Sequence, residues 1–217
     1  MNNIKNTGLY DESFEHDACG IGAIASIDGI KSHKIVEDAL NILIHLEHRG
    51  GTGAESNSGD GAGILVQIPH EYFSSLDLGF KIGCEGSYGV AQIFTSKNET
   101  IKNKSFEIVL NRLNDVKLKA LGIRKVPFNS LELGMQAKNS LPGIYQFFID
   151  RPEGETELEF ERHLYLARRL IEKEALSLEL SDFYICSMSA KTIVYKGMLV
   201  STQVQNFYVD LSDIKFK

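Results

Sequence analysis

The chain has 217 residues, of which 43% are apolar and 24% are charged, and these values are typical of one globular domain. A net charge of −6 argues against a nucleic-acid partner, and the absence of any run of eighteen apolar residues excludes a membrane-spanning helix. The three cysteines, Cys19, Cys84 and Cys186, are far apart and form no C-x-x-C pair. Neither a disulfide framework nor a zinc site is therefore predicted, and a reducing, cytoplasmic setting is favoured.

The start of the chain changes character at a cysteine. Met1–Ala18 is polar and patternless, contains no apolar segment that could act as a secretory signal, and is predicted to be coil. Gly20–Ile27 is apolar and small, which predicts a buried strand, and Asp28 with Gly29 is a turn signal. Cys19 therefore opens a predicted strand directly after a short leader.

A helix and a glycine-rich loop come after the turn. Ser32 can cap a helix to about Glu47, because apolar residues recur along that stretch at helical spacing. The helix leads into His48–Gly63, HRGGTGAESNSGDGAG, in which six of sixteen residues are glycine. Glycine at this density permits many backbone conformations. We predict that Gly50–Gly61 is the most mobile internal segment.

The rest of the chain is predicted as strands and helices in alternation. A T-x-x-E capping box at Thr156 and Glu159 starts the longest predicted helix, and Gly122 is expected to stop the helix before it. The last two strands are close enough to pair as a hairpin, and the tail from 201 to 217 is weakly patterned. Predicted strands cover residues 64–68, 87–94, 125–128, 144–149, 183–187 and 192–195, and predicted helices cover residues 101–121 and 157–180. Together these elements predict an α+β layered domain with antiparallel sheet and no internal domain boundary.

Cys19 has two chemical interpretations. If the leader is cut between Ala18 and Cys19, one residue carries a thiol with an ordinary pKa of about 8.5 and an α-amine with an ordinary pKa of about 7.7–8.0. Near neutral pH that amine can act as general base for its own thiol, so that no separate histidine is needed. The alternative is a small, unreactive cysteine buried in a strand, which is the commonest role of a free cysteine.

Other polar residues near the glycine-rich loop also have structural as well as functional interpretations. Arg49 could contact a substrate or fix the base of the loop, and Asp60 is typical of a turn. The GDGAG run lacks the lysine and hydroxyl residue of a phosphate-binding P-loop. His45 and His48 have a spacing that could ligate a metal, but no carboxylate pattern accompanies them, so no metal site is predicted.

Several motifs occur in an order that carries a family resemblance. The chain resembles the class II glutamine amidotransferases, which are N-terminal-nucleophile enzymes, and most closely the glutaminase domain of glutamate synthase large subunits. The motifs are CGIG at 19–22, HRG at 48–50, GDGAGILVQIP at 59–69, SLPGIYQFFI at 140–149, ERHLYLARRLIEK at 161–173, FYICSMS at 183–189, TIVYKGML at 192–199 and FYVDLSD at 207–213. A single CG pair or glycine-rich loop would be weak evidence, but this ordered set is specific.

The resemblance implies a fold and an activity. The expected fold is a four-layer αββα sandwich of antiparallel sheets, and the expected reaction is hydrolysis of L-glutamine to glutamate and ammonia. Met1–Ala18 would be the leader or pro-segment, and residues 19–217 would be the N-terminal part of the amidotransferase domain. Cys19 would be the nucleophile, and the loop that begins with Arg49, Gly50 and Gly51 would close over bound glutamine.

The resemblance also implies which parts of the chemistry lie outside this segment. In glutamate synthases the ammonia aminates 2-oxoglutarate with the help of FMN and iron–sulfur clusters, which belong to domains downstream of the glutaminase. We therefore expect no cofactor in this segment. The expected partners are L-glutamine and either the downstream synthase domains or a partner subunit, with no nucleic acid and no membrane.

Two family motifs do not occur in the chain. The resemblance places the arginine that binds the substrate carboxylate in an Arg-Phe-Ser-Thr run and the oxyanion donors in an Asn-Gly pair, and neither is present. We therefore expect the sandwich to be incomplete and these 217 residues, taken alone, to hydrolyse glutamine negligibly. The alternatives are a truncated, non-catalytic remnant that needs a partner, and another class II amidotransferase of purine, glucosamine or asparagine synthesis. The long segment between GDGAGIL and FYICSMS disfavours the last.

Overall fold

The computed structural model describes residues 19–51, 55 and 57–217, so the predicted coil over Met1–Ala18 lies outside the described residues. The helices are α1 His33–His45, α2 His70–Ser75, α3 Glu99–Asp115, α4 Met135–Asn139, α5 Glu157–Ser177 and α6 Gln203–Phe207. The strands are β1 Ala62–Gln67, β2 Tyr88–Thr95, β3 Lys119–Lys125, β4 Gly143–Asp150, β5 Tyr184–Ser189 and β6 Thr192–Gly197. Short 3-10 helices cover Glu47–Arg49 and Val209–Ser212.

The strands form two antiparallel sheets. The larger sheet has the order β3-β4-β2-β5, and the smaller sheet consists of β1 and β6. Helices α3 and α5 cover one face of the larger sheet, and the smaller sheet lies against its other face, with α1 packed on β1. This arrangement confirms the predicted α+β class and agrees with an N-terminal-nucleophile αββα sandwich.

Alternation along the larger sheet separates two hydrophobic cores. In β2, Val90 faces the smaller sheet while Ala91 faces the helices, because successive side chains of a strand point to opposite faces. The same alternation in β4 sends Phe148 to the inner core and Phe147 to the helical side. Each of these four side chains is fully buried. The larger sheet is therefore covered on both faces.

The helix starts agree with the capping residues that the sequence predicts. The Ser32 side chain accepts a hydrogen bond from the backbone N–H of Lys34 at the start of α1. Thr156 and Glu159 form a complete capping box at the start of α5, in which each side chain accepts a hydrogen bond from the other residue's backbone N–H. Both predictions are confirmed, because a cap satisfies donors that the first helical turn leaves free.

The predicted strand over Gly20–Ile27 is wrong. The segment has no regular secondary structure, and its residues are exposed except for Ser26, which is intermediate. A strand needs neighbouring backbone groups to bond with, and among the described strands β1 pairs with β6 alone. The segment instead packs on the end of α1, where a Cβ on Gly22 would collide with Ile42. The turn after the segment is confirmed, with Gly29 at φ +67°.

The predicted hairpin between the last two strands is also wrong. Strand β5 pairs with β2 in the larger sheet, whereas β6 pairs with β1 in the smaller sheet. The short connection through Ala190 and Lys191 therefore passes from one sheet to the other. Side-chain groups join the two strands across the layers, since the Val194 N–H donates to the Ser187 hydroxyl and the Cys186 thiol donates to the Val194 carbonyl.

The predicted helix over 101–121 ends early, because its stop signal is a lysine rather than a glycine. Lys117 has φ +61°, the Lys117 N–H donates to the Asn114 carbonyl, and the Leu118 N–H donates to the Leu113 carbonyl. These two bonds and a left-handed residue define a Schellman motif. Gly122, the expected stop, lies within β3 under the ring of Phe80. The segment predicted as the end of a helix is thus an outer strand of the larger sheet.

The weakly patterned tail packs into the inner core and anchors a buried polar network. The carboxylate of Asp210 is fully buried and accepts two hydrogen bonds of 2.7 Å from the Arg124 guanidinium. It also accepts hydrogen bonds from the hydroxyls of Tyr72, at 2.7 Å, and Tyr195, at 2.9 Å. The apolar residues of the tail that are buried are Val204, Phe207, Tyr208, Leu211 and Phe216. Residues 201–217 are therefore part of the fold rather than an appendage.

In the part of the chain that the structure describes, no helix is long and apolar enough to cross a membrane.

Candidate active site

Cys19 lies at a cavity that also contains the other predicted site residues. The cavity has a volume of about 250 Å³. Its lining includes Cys19, Arg49, Gly50 and Gly51, which come from the start of the described chain and from the start of the glycine-rich loop. Cys19 is exposed and is a free thiol. The structure therefore brings the four predicted residues together, while their roles stay predictions.

The turn after α1 positions Arg49. The Arg49 N–H donates to the Leu46 carbonyl at 2.8 Å, and the Gly50 N–H donates to the Glu47 carbonyl at 3.0 Å, which closes a single 3-10 turn. The Arg49 guanidinium then donates to the backbone carbonyl of Cys19 at 3.4 Å. Arg49 thus holds the backbone of the cysteine, as expected of a residue that fixes the base of the loop, and its side chain still lines the cavity.

The glycine-rich loop leaves and returns side by side. The Asp60 N–H donates to the Gly51 carbonyl at 3.1 Å, so the two ends of the loop are bonded to each other. A Cβ on Gly51 would collide with the Asp60 carboxylate, so the two ends of the loop are in close contact. Residues 52–54 and 56 lie outside the described residues, so the mobility of Gly50–Gly61 stays a prediction.

Another part of the cavity wall comes from residues to which the sequence alone assigns no role in the site. Leu199, Val200 and Ser201, which come after β6, line the same cavity as Cys19. A Cβ on Gly59 would lie 2.5 Å from the Leu199 carbonyl oxygen and 2.8 Å from the Val200 nitrogen. The returning arm of the loop and this wall are therefore in close backbone contact. No local sequence signal indicates this contact, because it joins residues that are far apart in the chain.

Metal ligands do not cluster in residues 19–51, 55 and 57–217, where no group of three or more His, Cys, Asp or Glu side chains could hold an ion. His45 and His48 belong to no such group, and Nδ1 of His48 lies 3.0 Å from the backbone carbonyl of His45. An iron–sulfur cluster needs several cysteine thiolates at one site, and the described cysteines do not provide that arrangement. These residues therefore do not fit such a cluster.

Cys186 differs from Cys19 because it is buried between the sheets. Burial raises the pKa of the Cys186 thiol to about 11, and the thiol donates to the Val194 carbonyl at 3.3 Å. Cys84 is exposed. A thiolate is the reactive form of cysteine, so Cys186 should be unreactive near neutral pH.

Alkylation of the native chain with iodoacetamide at pH 8 should label Cys186 about 10²-fold more slowly than Cys84, because few Cys186 thiols ionise at that pH. Mass spectrometry of tryptic peptides would measure the three rates.

The raised pKa means that the folded state holds the thiol proton more tightly than the unfolded state. The protonated Cys186 thiol therefore contributes fully to stability below the unfolded pKa of about 8.5, and this contribution is lost as the pH rises toward 11. Equal labelling of Cys84 and Cys186 at pH 8 would contradict this assignment.

The chain is similar to known proteins over nearly all of its length. Residues 19–217 match the family described as "Glutamine amidotransferases class-II", so the matched region begins at Cys19. The chain belongs to the class II glutamine amidotransferases. It is 42% identical to the glutamate synthase [NADPH] large chain of Bacillus subtilis over 98% of its own length and 14% of that protein. It is 41% identical to glutamate synthase [NADH] of Saccharomyces cerevisiae, over 97% of this chain and 10% of the relative.

A third amidotransferase relative has a different electron donor in its name. Ferredoxin-dependent glutamate synthase 2 of Synechocystis is 41% identical over 92% of this chain and 13% of that protein. The chain thus spans about one tenth to one seventh of the relatives it matches. The similarity is to the amidotransferase segment of glutamate synthases, as the motifs predict.

Proposed function

We propose that the chain is the glutaminase segment of a glutamate synthase and that Cys19 is its nucleophile. The observation that supports this most strongly is the position of Cys19, which is the first residue of the family match and lines a cavity with Arg49, Gly50 and Gly51. The substrate is L-glutamine, and the products are glutamate and ammonia. The ammonia is used to aminate 2-oxoglutarate in domains outside this segment.

The proposed chemistry needs only groups of one residue to begin. The α-amine of Cys19 takes the thiol proton, and the sulfur attacks the side-chain amide carbon of glutamine. The resulting ammonium gives its proton to the leaving nitrogen, so that ammonia departs and a γ-glutamyl thioester remains. Water then attacks the thioester while the amine takes a proton from it, the carbon–sulfur bond breaks to release glutamate, and the ammonium returns the proton to the departing sulfur, which restores the thiol and the free amine.

The rest of the site is proposed to come from outside residues 19–217. Attack on the amide places negative charge on its oxygen, and removal of a single donor to such an oxyanion typically costs about 10²–10³ in rate. The Asn-Gly and Arg-Phe-Ser-Thr motifs that the family uses are absent from this sequence. We therefore propose that a downstream segment or a partner subunit supplies them. No step is assigned to FMN or an iron–sulfur cluster, which we place with the synthase domains, and a cytoplasmic location stays a prediction.

A hybrid protein tests this proposal without any assumption about polypeptide beyond Lys217. In this hybrid, residues 19–217 replace the matching segment of the Bacillus subtilis relative, which supplies the remaining polypeptide. We expect it to hydrolyse glutamine, measured as ammonia release. A folded hybrid without hydrolysis would favour the non-catalytic remnant. Hydrolysis without transfer of ammonia to 2-oxoglutarate would favour a different class II amidotransferase.

A blocked amine should inactivate the hybrid. With Met1–Ala18 retained ahead of Cys19, the α-amine is part of a peptide bond and cannot accept the thiol proton. We expect turnover to fall by about 10²–10⁴-fold, which is the usual contribution of a general base. Intact mass would verify the state of the leader.

The matched control for the blocked amine carries the same leader through a protease site that leaves Cys19 as the first residue. Cleavage of that control should restore full turnover. Full turnover with the leader still attached would show that the α-amine is not the base.

A further inference from the structure

A single buried glutamine connects one segment of the Cys19 cavity lining with two further segments of the chain. Gln203 is 5% exposed and lies at the start of α6. Its side-chain oxygen accepts a hydrogen bond from the Val200 N–H at 3.0 Å. Its side-chain nitrogen donates to the Asn57 carbonyl at 3.0 Å and to the Glu132 carbonyl at 2.9 Å. Both N–H donors and the oxygen of this amide are thus used on three backbone groups.

One of those backbone groups lines the cavity, and a second begins a segment that leads into the cavity lining. Val200 is part of the cavity wall. Asn57 begins the returning arm of the glycine-rich loop, residues 57–60, which ends at Asp60 in the cavity lining. Ser58 and Gly59 of this arm are buried, and Gly59 lies against the backbone of Leu199. Gln203 therefore ties the returning arm to the wall by one rigid planar group.

The third group belongs to a turn that also bonds to the arm. The Glu132 carbonyl lies in the turn before α4, and the Gly134 N–H of the same turn donates to the Asn57 carbonyl at 3.2 Å. The arm is thus held from two sides at Asn57. A different arm position would break both hydrogen bonds that the Asn57 carbonyl accepts.

From these contacts we infer that Gln203 is a positioning residue for the amidotransferase site: it fixes the returning arm 57–60 against the wall 199–201 and so sets the shape of the cavity that Cys19 opens into. This role rests on the proposed function, because the cavity matters only if glutamine binds there. Gln203 does not itself line the cavity, and it acts through the backbone of Asn57 and Val200.

Gln203 has two tethers: the bond that its oxygen accepts from Val200 holds the wall, and the bonds that its nitrogen donates to Asn57 and Glu132 hold the arm. Two substitutions distinguish them. Gln203→Leu removes the bond from Val200 and the bonds to Asn57 and Glu132, because the leucine side chain has no polar atoms. Its volume is similar to that of glutamine, so the packing changes little. Gln203→Glu keeps an oxygen that accepts from the Val200 N–H and, as a carboxylate, has no donor for the Asn57 and Glu132 carbonyls. Lowering the pH protonates this buried acid and restores one O–H donor. A role in general stability would not produce this pattern.

The rates of hydrogen exchange at two backbone amides of the native chain report whether the two tethers are intact, and no substrate is needed. The Val200 N–H reports the wall, and the Asp60 N–H, which donates to the Gly51 carbonyl, reports the arm. We expect Gln203→Leu to accelerate both by about 10-fold or more, while amides of β2 and β4 change little. Gln203→Glu at pH 8 should accelerate Asp60 alone, and its Asp60 protection factor should partly recover at pH 5. Gln205→Leu, on the exposed face of α6, is the matched control and should change neither amide.

The outcomes of this exchange experiment decide the inference separately from the activity. Unchanged Asp60 exchange in Gln203→Leu, or equal acceleration throughout β2 and β4, would overturn it. Should Gln203→Leu fail to fold, Gln203→Glu compared at pH 5 and pH 8 decides it alone. In the hybrid enzyme we expect Gln203→Leu to raise KM for glutamine about 10-fold and to change kcat by less than about 3-fold. A hybrid that is inactive before substitution would count against the proposed function, and the exchange result would still stand.

Discussion

Replacing Cys19 by alanine is expected to abolish glutamine hydrolysis by the hybrid enzyme, with a loss of at least about 10³-fold. Loss of a nucleophile removes the covalent route itself, and comparable substitutions in other enzymes cost up to about 10⁶ in kcat. Cys19→Ser should be nearly as damaging, because the hydroxyl proton is much harder to remove than the thiol proton. Ammonia release under saturating glutamine is the measurement.

The other two cysteines provide matched controls for the nucleophile. Cys84 is exposed and lies outside the Cys19 cavity, and Cys186 is buried between the sheets with its pKa raised to about 11. We expect Cys84→Ser and Cys186→Ser to retain turnover within about 3-fold, provided that the variants fold. A Cys19→Ala hybrid that keeps its turnover would show that another group attacks the amide and that the proposed mechanism is wrong.

Replacing Asp210 by asparagine is expected to lower the free energy of unfolding by about 3–5 kcal/mol, the usual cost of breaking a buried ion pair from one side. The substitution leaves the Arg124 guanidinium, whose side chain is 10% exposed, without its counter-charge. It also replaces an acceptor of four hydrogen bonds by a group with two donors of its own. Chemical denaturation monitored by circular dichroism would measure the change.

Both phenols in the Asp210 network are committed as donors. Burial is the first cause that raises the pKa of Tyr72 and of Tyr195 well above the ordinary value for tyrosine, so both stay protonated across the neutral range. Neither can therefore replace the lost negative charge by ionising. Among the described residues, the carboxylate of Asp210 is the only anionic partner of Arg124 in this network.

Two further variants make the test of Asp210 specific. Asp182→Asn, at an exposed aspartate, should change stability by less than about 0.5 kcal/mol. The double variant Arg124→Met with Asp210→Leu should recover part of the loss, because an apolar pair of similar volume leaves no charge buried alone. A loss in Asp210→Asn no larger than in Asp182→Asn would mean that the buried pair contributes little.

The features that the sequence predicts well are those set by neighbours in the chain. Ser32 and Thr156 begin helices because a cap needs only the next two or three residues. The sequence misplaces the stop of α3 at Gly122 because Lys117 adopts the left-handed conformation that usually indicates glycine. Which sheet a strand joins is not a local property, so the hairpin prediction for β5 and β6 is wrong although both strands exist.

The candidate site divides in the same way. Cys19, Arg49, Gly50 and Gly51 can be found from the sequence because they lie in short motifs that carry chemistry or a family resemblance. Gln203 lies in a tail without periodicity, and its importance comes from three backbone groups in distant segments. No count of glutamines or apolar residues could reveal that contact, and only the folded chain brings its partners together.

The pairing of β1 with β6 has a consequence for how the protein is made on the ribosome. Gln67 lies opposite Thr192, and Tyr72 bonds to Asp210 in the last stretch of the chain. At a synthesis rate of about 5–20 residues per second, β1 leaves the ribosome roughly 6–25 s before its partner exists. During that interval its apolar residues and open edge have no native contact, and pairings between distant segments form slowly. The nascent chain is therefore expected to need chaperone protection until β6 and the tail emerge.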